Sequence, residues 1–75
     1  MSKLPVISGR EMVRVLSKIG FTLVGRKGSH VRLKRRRDKE ILIVIVPMHR
    51  ELAKGTLMSI LRQSNLRVED LLRLL

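Results

Sequence analysis

Ile41-Leu42-Ile43-Val44-Ile45-Val46 is an unbroken apolar run in a chain otherwise dense in charge, and Pro47 ends it. A run of this length falls far short of the ~20 residues a membrane-spanning helix needs. Mostly β-branched and closed by proline, it reads as a strand. Strand geometry then imposes a constraint: Ile41, Ile43 and Ile45 share one face, and Leu42, Val44 and Val46 share the other. If helices cover one side of the sheet, one of these triplets is left open, where an antiparallel sheet with a wet face normally carries polar residues. An open apolar strip asks for a cover, which a dedicated protein partner, a loop or a second copy of the chain could provide. Register decides which triplet is open, because a one-residue slip exchanges the faces.

The remaining 69 of the 75 residues supply the rest of one domain, residues 1–75. A chain of this size buries only about 60% of the surface that its unfolded form exposes, so its margin of stability is thin. There is no cysteine, so neither disulfides nor thiolate metal sites can help. Ser8-Gly9-Arg10-Glu11 has capping-box spacing, and Met12, Val15, Leu16 and Ile19 recur behind it at helical spacing. A first helix is expected over about Gly9 to Ile19, with Gly20 as its left-handed stop. Phe21 to Arg26 is β-prone, Lys27-Gly28 turns the chain, and Ser29 to Lys34 alternates as a second strand. Arg35 to Glu40 reads as a polar loop before the strand at Ile41. Lys54-Gly55-Thr56 opens a second helix with Leu57, Ile60, Leu61 and Ser64 on one face and Asn65 as its stop. Val68, Leu71, Leu72 and Leu75 form a last short helical face, with Glu69 and Asp70 in its first turn. The expected fold is α+β, in the order α-β-β-β-α-α, with a three-stranded antiparallel meander backed by helices on one face.

Charge narrows the function. Seventeen Lys and Arg against six Asp and Glu give a net +11, a balance that attracts polyanions. Part of it lies on the first helix, where Arg10, Arg14 and Lys18 form a basic stripe. Phe21 is the one residue among Phe, Trp and Tyr, so a surface that grips single strands by stacking bases on aromatic rings is excluded. Contacts to phosphates, sugars and groove shape remain, as a duplex or hairpin would offer.

Histidine is the residue type suited to proton transfer near neutral pH, and the chain has two, His30 and His49. His30 opens the second strand on its polar face with Arg32 and Lys34, while Val31 and Leu33 point the other way. Cleaving RNA requires a base for the 2′-hydroxyl proton, an acid for the leaving oxygen, and positive charge at the phosphoryl oxygens. His30 with its cationic neighbours, Lys27 among them, meets the first and last of these needs. His49 and Ser29 are auxiliary candidates, His49 for the missing acid or base, or else for a phosphate contact or a structural cap. Lys54, at the start of the second helix, is a further phosphate-binding candidate. Scattered carboxylates, two histidines without a third nearby ligand, and the lack of Walker or dinucleotide patterns lead us to expect no metal and no cofactor.

Leu4-Pro5-Val6-Ile7-Ser8-Gly9, Gly20-Phe21 and Lys27-Gly28-Ser29-His30-Val31 stand in order along the chain. Val46-Pro47-Met48-His49 and Lys54-Gly55-Thr56-Leu57, followed by Ile60-Leu61-Arg62-Gln63, continue the series. Together they resemble the HicA family of bacterial toxins, also described as YcfA-like. The resemblance implies a fold similar to the double-stranded RNA-binding domain, cleavage of messenger RNA in the cytoplasm, and a HicB-type antitoxin that masks the active surface. The family's catalytic histidine, the one in Gly-Ser-His, maps onto His30. Two departures stand out: the long basic segment Lys34 to Lys39, and Arg67 where a capping serine or threonine is common. The residues alone still admit a non-catalytic double-stranded RNA- or DNA-binding module, or a basic protein whose ligand is an acidic partner.

Overall fold

The computed structural model describes residues 3–75 and orders them as α1 (Gly9–Lys18), β1 (Thr22–Lys27), β2 (His30–Arg37), β3 (Glu40–Pro47), α2 (Lys54–Ser64) and α3 (Val68–Leu74). Helix α1 starts where its sequence says it should. The Ser8 hydroxyl accepts from the Glu11 N–H at 3.0 Å, and the Glu11 carboxylate accepts from the Ser8 N–H at 3.0 Å. Gly20 leaves the helix at φ 99°, a conformation that costs glycine little. Helix α2 ends on Asn65 at φ 59°, the left-handed stop that asparagine tolerates. Arg67 offers α3 no capping hydroxyl, but the Asp70 carboxylate accepts from the Arg67 backbone N–H at 2.9 Å and does half of a capping box's work.

The strands form an antiparallel meander in the order β1-β2-β3. Arg35, Arg36 and Arg37 do not belong to a loop: they extend β2 and pair with Leu42, Ile41 and Glu40. Asp38 and Lys39 make the turn, with Asp38 at φ 55°, the left-handed backbone that two-residue hairpins demand. A charged strand end is stable there because long arginine stems lie along the sheet and keep their guanidinium groups in water.

Helices α1 and α2 both pack on β3, and α3 packs on α1. Met12, Val15 and Leu16 of α1 meet Val31, Leu33, Val44 and Val46 of the sheet and Leu57, Ile60 and Leu61 of α2 in one core. All are at most 3% exposed, and Leu71 anchors α3 to the same cluster. The last helical face differs from its expected form: Leu72 and Leu75 are exposed, and Leu74 packs on the core instead. Lys18 closes this end of the molecule by donating from Nζ to the Leu74 carbonyl at 2.7 Å, a cation at the C-terminal end of a helix.

Register settles which side of the sheet stays open. Arg32, Lys34 and Arg36 stand opposite Ile45, Ile43 and Ile41, so the isoleucine triplet shares the uncovered face with the basic residues of β2. Ile41, Ile43 and Ile45 are 48%, 43% and 38% exposed, whereas Val44 and Val46 are sealed beneath the helices.

Candidate functional site

A β-bulge sets up the site. Leu23 pairs with Leu33, but the next partner pair is Gly25 with Arg32, so Val24 is the extra residue on β1. A bulge shifts alternation by one position. Beyond it, Gly25 and Lys27 share the open face with Arg32 and His30, while Arg26 stands opposite buried Val31 and turns to the helix side. Gly25 contributes no side chain and nothing lies within 4 Å of where its Cβ would be. The result is a hollow of about 390 Å³ lined by Gly25, Arg26, Lys27, His30, Val31, Arg32 and Ile45.

His30 opens β2 and stands at one end of the sheet, between Lys27 at the end of β1 and Pro47 at the end of β3. The Gly28-Ser29 turn that precedes it places Gly28 at φ 60°. Beyond Pro47 the chain is held by three backbone hydrogen bonds. The Met48 N–H donates to the Ser29 carbonyl at 2.6 Å, the Gly9 N–H to the His49 carbonyl at 2.9 Å, and the Leu52 N–H to the Ile7 carbonyl at 2.8 Å. The residue before each histidine is thus bonded to the other, and the α1 start fixes His49 from the far side. The two imidazoles face each other edge to face, with ring centroids 6.4 Å apart and planes at 75°.

That distance keeps the rings out of mutual hydrogen-bonding contact. It leaves both able to reach one phosphodiester group, to which each needs an approach of about 2.7–3.2 Å. This end of the sheet thus gathers two imidazoles and adjacent cationic side chains. Both histidines are exposed at the surface, so a polymer can reach them.

Of the residues singled out in the sequence, Lys27, His30 and Arg32 line the open hollow, and His49 comes to them from a different part of the chain. Ser29 contributes its carbonyl to the Met48 anchor. Lys34 lies further along the same face, half-buried between Thr22 and Ile43. Lys54 is exposed at the start of α2 and lines none of the hollows beside the histidines. Among the described residues, no group of three His, Asp or Glu side chains is gathered to hold a metal ion.

Three contributors escaped the sequence reading. Arg26 and Arg50 join Arg10 in a second hollow, of about 550 Å³, beside His49. Gly9 is the third, because a methyl group in place of its α-hydrogen would collide with the Pro47 carbonyl oxygen and press on the Met48 Cα. A glycine directly after a serine N-cap is a visible signal, yet its cause lies far along the chain.

No helix of the described residues is long and apolar enough to cross a membrane. No curated protein matches the chain. The family model of the HicA toxin of bacterial toxin–antitoxin systems matches residues 9–66, a span that holds the bulge, both histidines and the helices that support them. The chain belongs to the HicA toxin family and is the toxin of a toxin–antitoxin system.

Proposed function

We propose that this toxin is an endoribonuclease that cleaves messenger RNA in the cytoplasm, with His30 as its catalytic residue. The observation that carries the reading is the approach of His30 and His49, with ring centroids 6.4 Å apart, on a sheet end lined with Lys27 and Arg32. One imidazole removes the proton of a ribose 2′-hydroxyl. The 2′-oxygen attacks the neighbouring phosphorus, and the bond to the 5′-oxygen of the next nucleotide breaks. The second imidazole delivers a proton to that leaving oxygen, so the products are a 2′,3′-cyclic phosphate and a free 5′-hydroxyl. His30 performs one of these transfers, and His49, whose ring centroid lies 6.4 Å away, is the candidate for the other. Lys27 and Arg32 stabilise the charge that develops on the phosphoryl oxygens; Lys34 and Lys54 lie further out, available to the RNA backbone. No step requires a metal ion or a cofactor.

In this reading the antitoxin is of the HicB type and covers the open face. The exposed isoleucine strip beside the catalytic histidine supports that placement, since a contiguous apolar surface beside charged residues marks a protein-binding site. The antitoxin would exclude RNA by occupying the same surface.

The test compares RNA cleavage by the wild type, His30→Ala and His49→Ala in the presence of chelator, with folding matched by circular dichroism. Loss of a general acid or base lowers the rate by about 10²–10⁴. We expect His30→Ala to show that loss while still binding RNA. Equal cleavage by His30→Ala and wild type, or none by either under any condition, would overturn the assignment in favour of a non-catalytic double-stranded nucleic-acid-binding module.

A further inference from the structure

The second hollow is lined by His49, as the first is by His30. Its lining is Ser8, Arg10, Arg26, Met48, His49 and Arg50, three of them arginines and none of them acidic. Three elements converge to build it: the start of α1, the end of β1 and the segment after β3. Among the described residues, none of these arginines forms an ion pair: the ion pairs join Asp70 to Arg67 and Arg73, and the nearby Glu11 is engaged with the Ser8 backbone. Arg26 is already oriented, since its Nε donates to the Gly28 carbonyl at 3.1 Å and its remaining donors are left for a ligand.

Concentrating like charge costs energy unless an anion offsets it. Guanidinium groups suit phosphate well, because their planar array of donors matches phosphate oxygens in pairs. Arg26 lines both hollows, His30 lines the first and His49 the second, so the two adjoin at this end of the sheet.

We infer that the hollow of Arg10, Arg26 and Arg50 is a second phosphate-binding subsite, which holds the RNA backbone to one side of the bond that is cut. The inference takes its ligand from the ribonuclease reading above, but the site is defined by binding and not by cleavage. An acidic peptide would also be drawn to the arginines. RNA is favoured because a strand that reaches the histidines brings its neighbouring phosphates to the adjoining hollow. The N–H of Gly9 is not part of the subsite, because the His49 carbonyl already accepts from it.

Binding of a short RNA hairpin to a His30→Ala protein, which leaves the probe intact, provides the test. Affinity is measured over a series of salt concentrations for that parent, for the parent carrying Arg10→Ala and Arg50→Ala, and for a control carrying Lys39→Ala and Arg62→Ala. Both double variants lose equal charge, and all four side chains are exposed, so folding is expected to survive and is checked by circular dichroism. Each lost phosphate contact makes the plot of log K against log salt shallower by about 1. We expect a slope shallower by about 2 in the Arg10/Arg50 variant, which loses two such contacts, and no change in the control. An unchanged slope, or an equal change in the control, overturns the subsite; an unchanged slope leaves the arginines to an acidic protein partner. If the slope changes as expected while the wild type cleaves no RNA, the subsite stands and the ribonuclease reading falls.

Discussion

The two faces of the sheet are made of neighbouring residues and obey different rules. Val31, Leu33, Val44 and Val46 point under the helices, where none is more than 3% exposed. His30, Arg32, Lys34, Ile43 and Ile45 alternate with them and point outward. The covered face does the work of folding, because apolar area removed from water is what stabilises a chain this small. On the open face, charge and apolar surface lie side by side without neutralising carboxylates opposite them. In the reading proposed above, that face meets RNA along the basic residues of β2 and the antitoxin across the isoleucines of β3. Side-chain alternation lets one strand serve both ends, and its consequence is that a single residue's face decides what its loss will do.

The sharpest way to break the comparison is to shorten an aliphatic side chain on each face. Leu33→Ala, at a position with no exposure, leaves a cavity in the core. Such changes cost about 2–5 kcal/mol, and a domain's whole stability is about 5–15 kcal/mol. We expect much of the variant to be unfolded at modest denaturant concentration. Ile43→Ala, 43% exposed on the adjoining strand, removes a side chain of similar size from the open face. It is expected to cost less than about 1 kcal/mol, near the range of surface substitutions. Urea titrations followed by circular dichroism read both, and equal losses in the two variants would contradict the division of labour between the faces.

A smaller effect probes the joint between fold and site. Gly9→Ala places a methyl group against the Pro47 carbonyl and the Met48 backbone, and neither is the flexible end of a side chain. Overpacking of this kind costs about 1–3 kcal/mol. The strain falls on the segment that presents His49, so RNA cleavage is expected to drop even in the fraction that remains folded. Cleavage per folded molecule, compared with wild type, separates the two consequences. A variant that loses stability yet keeps full cleavage would show that the approach of α1 to β3 matters to packing and not to the histidine pair.

Much of this architecture could be read from residue order, and the parts that could not have a common cause. The Ser8–Glu11 cap, the stops at Gly20 and Asn65, and the helical faces of α1 and α2 depend on spacings within a few residues, and each is visible locally. His30 stood out because strand alternation put it with Arg32 and Lys34. The pairing of Arg35–Arg37 with Glu40–Leu42 was hidden because charge argues for a loop, while long arginine stems tolerate an exposed sheet end. The approach of His49 to His30, the convergence of Arg10, Arg26 and Arg50, and the tight contact at Gly9 all join segments distant in sequence. The bulge at Val24 has the same character: it decides which face Arg26 and Lys27 occupy, yet it is defined by the register of a partner strand.

The smallest expected effect lies away from both faces, at α3. Asp70 accepts from the backbone N–H of Arg67 and, with its side chain, also engages the guanidinium groups of Arg67 and Arg73. The backbone hydrogen bond is the main reason its carboxyl is held below the usual carboxylate range, and the Arg67 side chain adds to it. A group whose pKa is lowered on folding binds its proton more readily in the unfolded chain. Its stabilising contribution is therefore complete above the unfolded carboxylate's ordinary value and disappears as pH falls through the lowered folded one. Asp70→Asn should be slightly less stable than wild type at neutral pH, and the gap should close as the solution is acidified through that window. Salt should narrow the gap as well, because both guanidinium partners are exposed. Thermal melts at a series of pH values read the difference directly. A gap that stays constant from neutral to acid pH would mean that the carboxylate's charge contributes nothing to holding α3, and that the packing of Leu71 and Leu74 on the core holds it unaided.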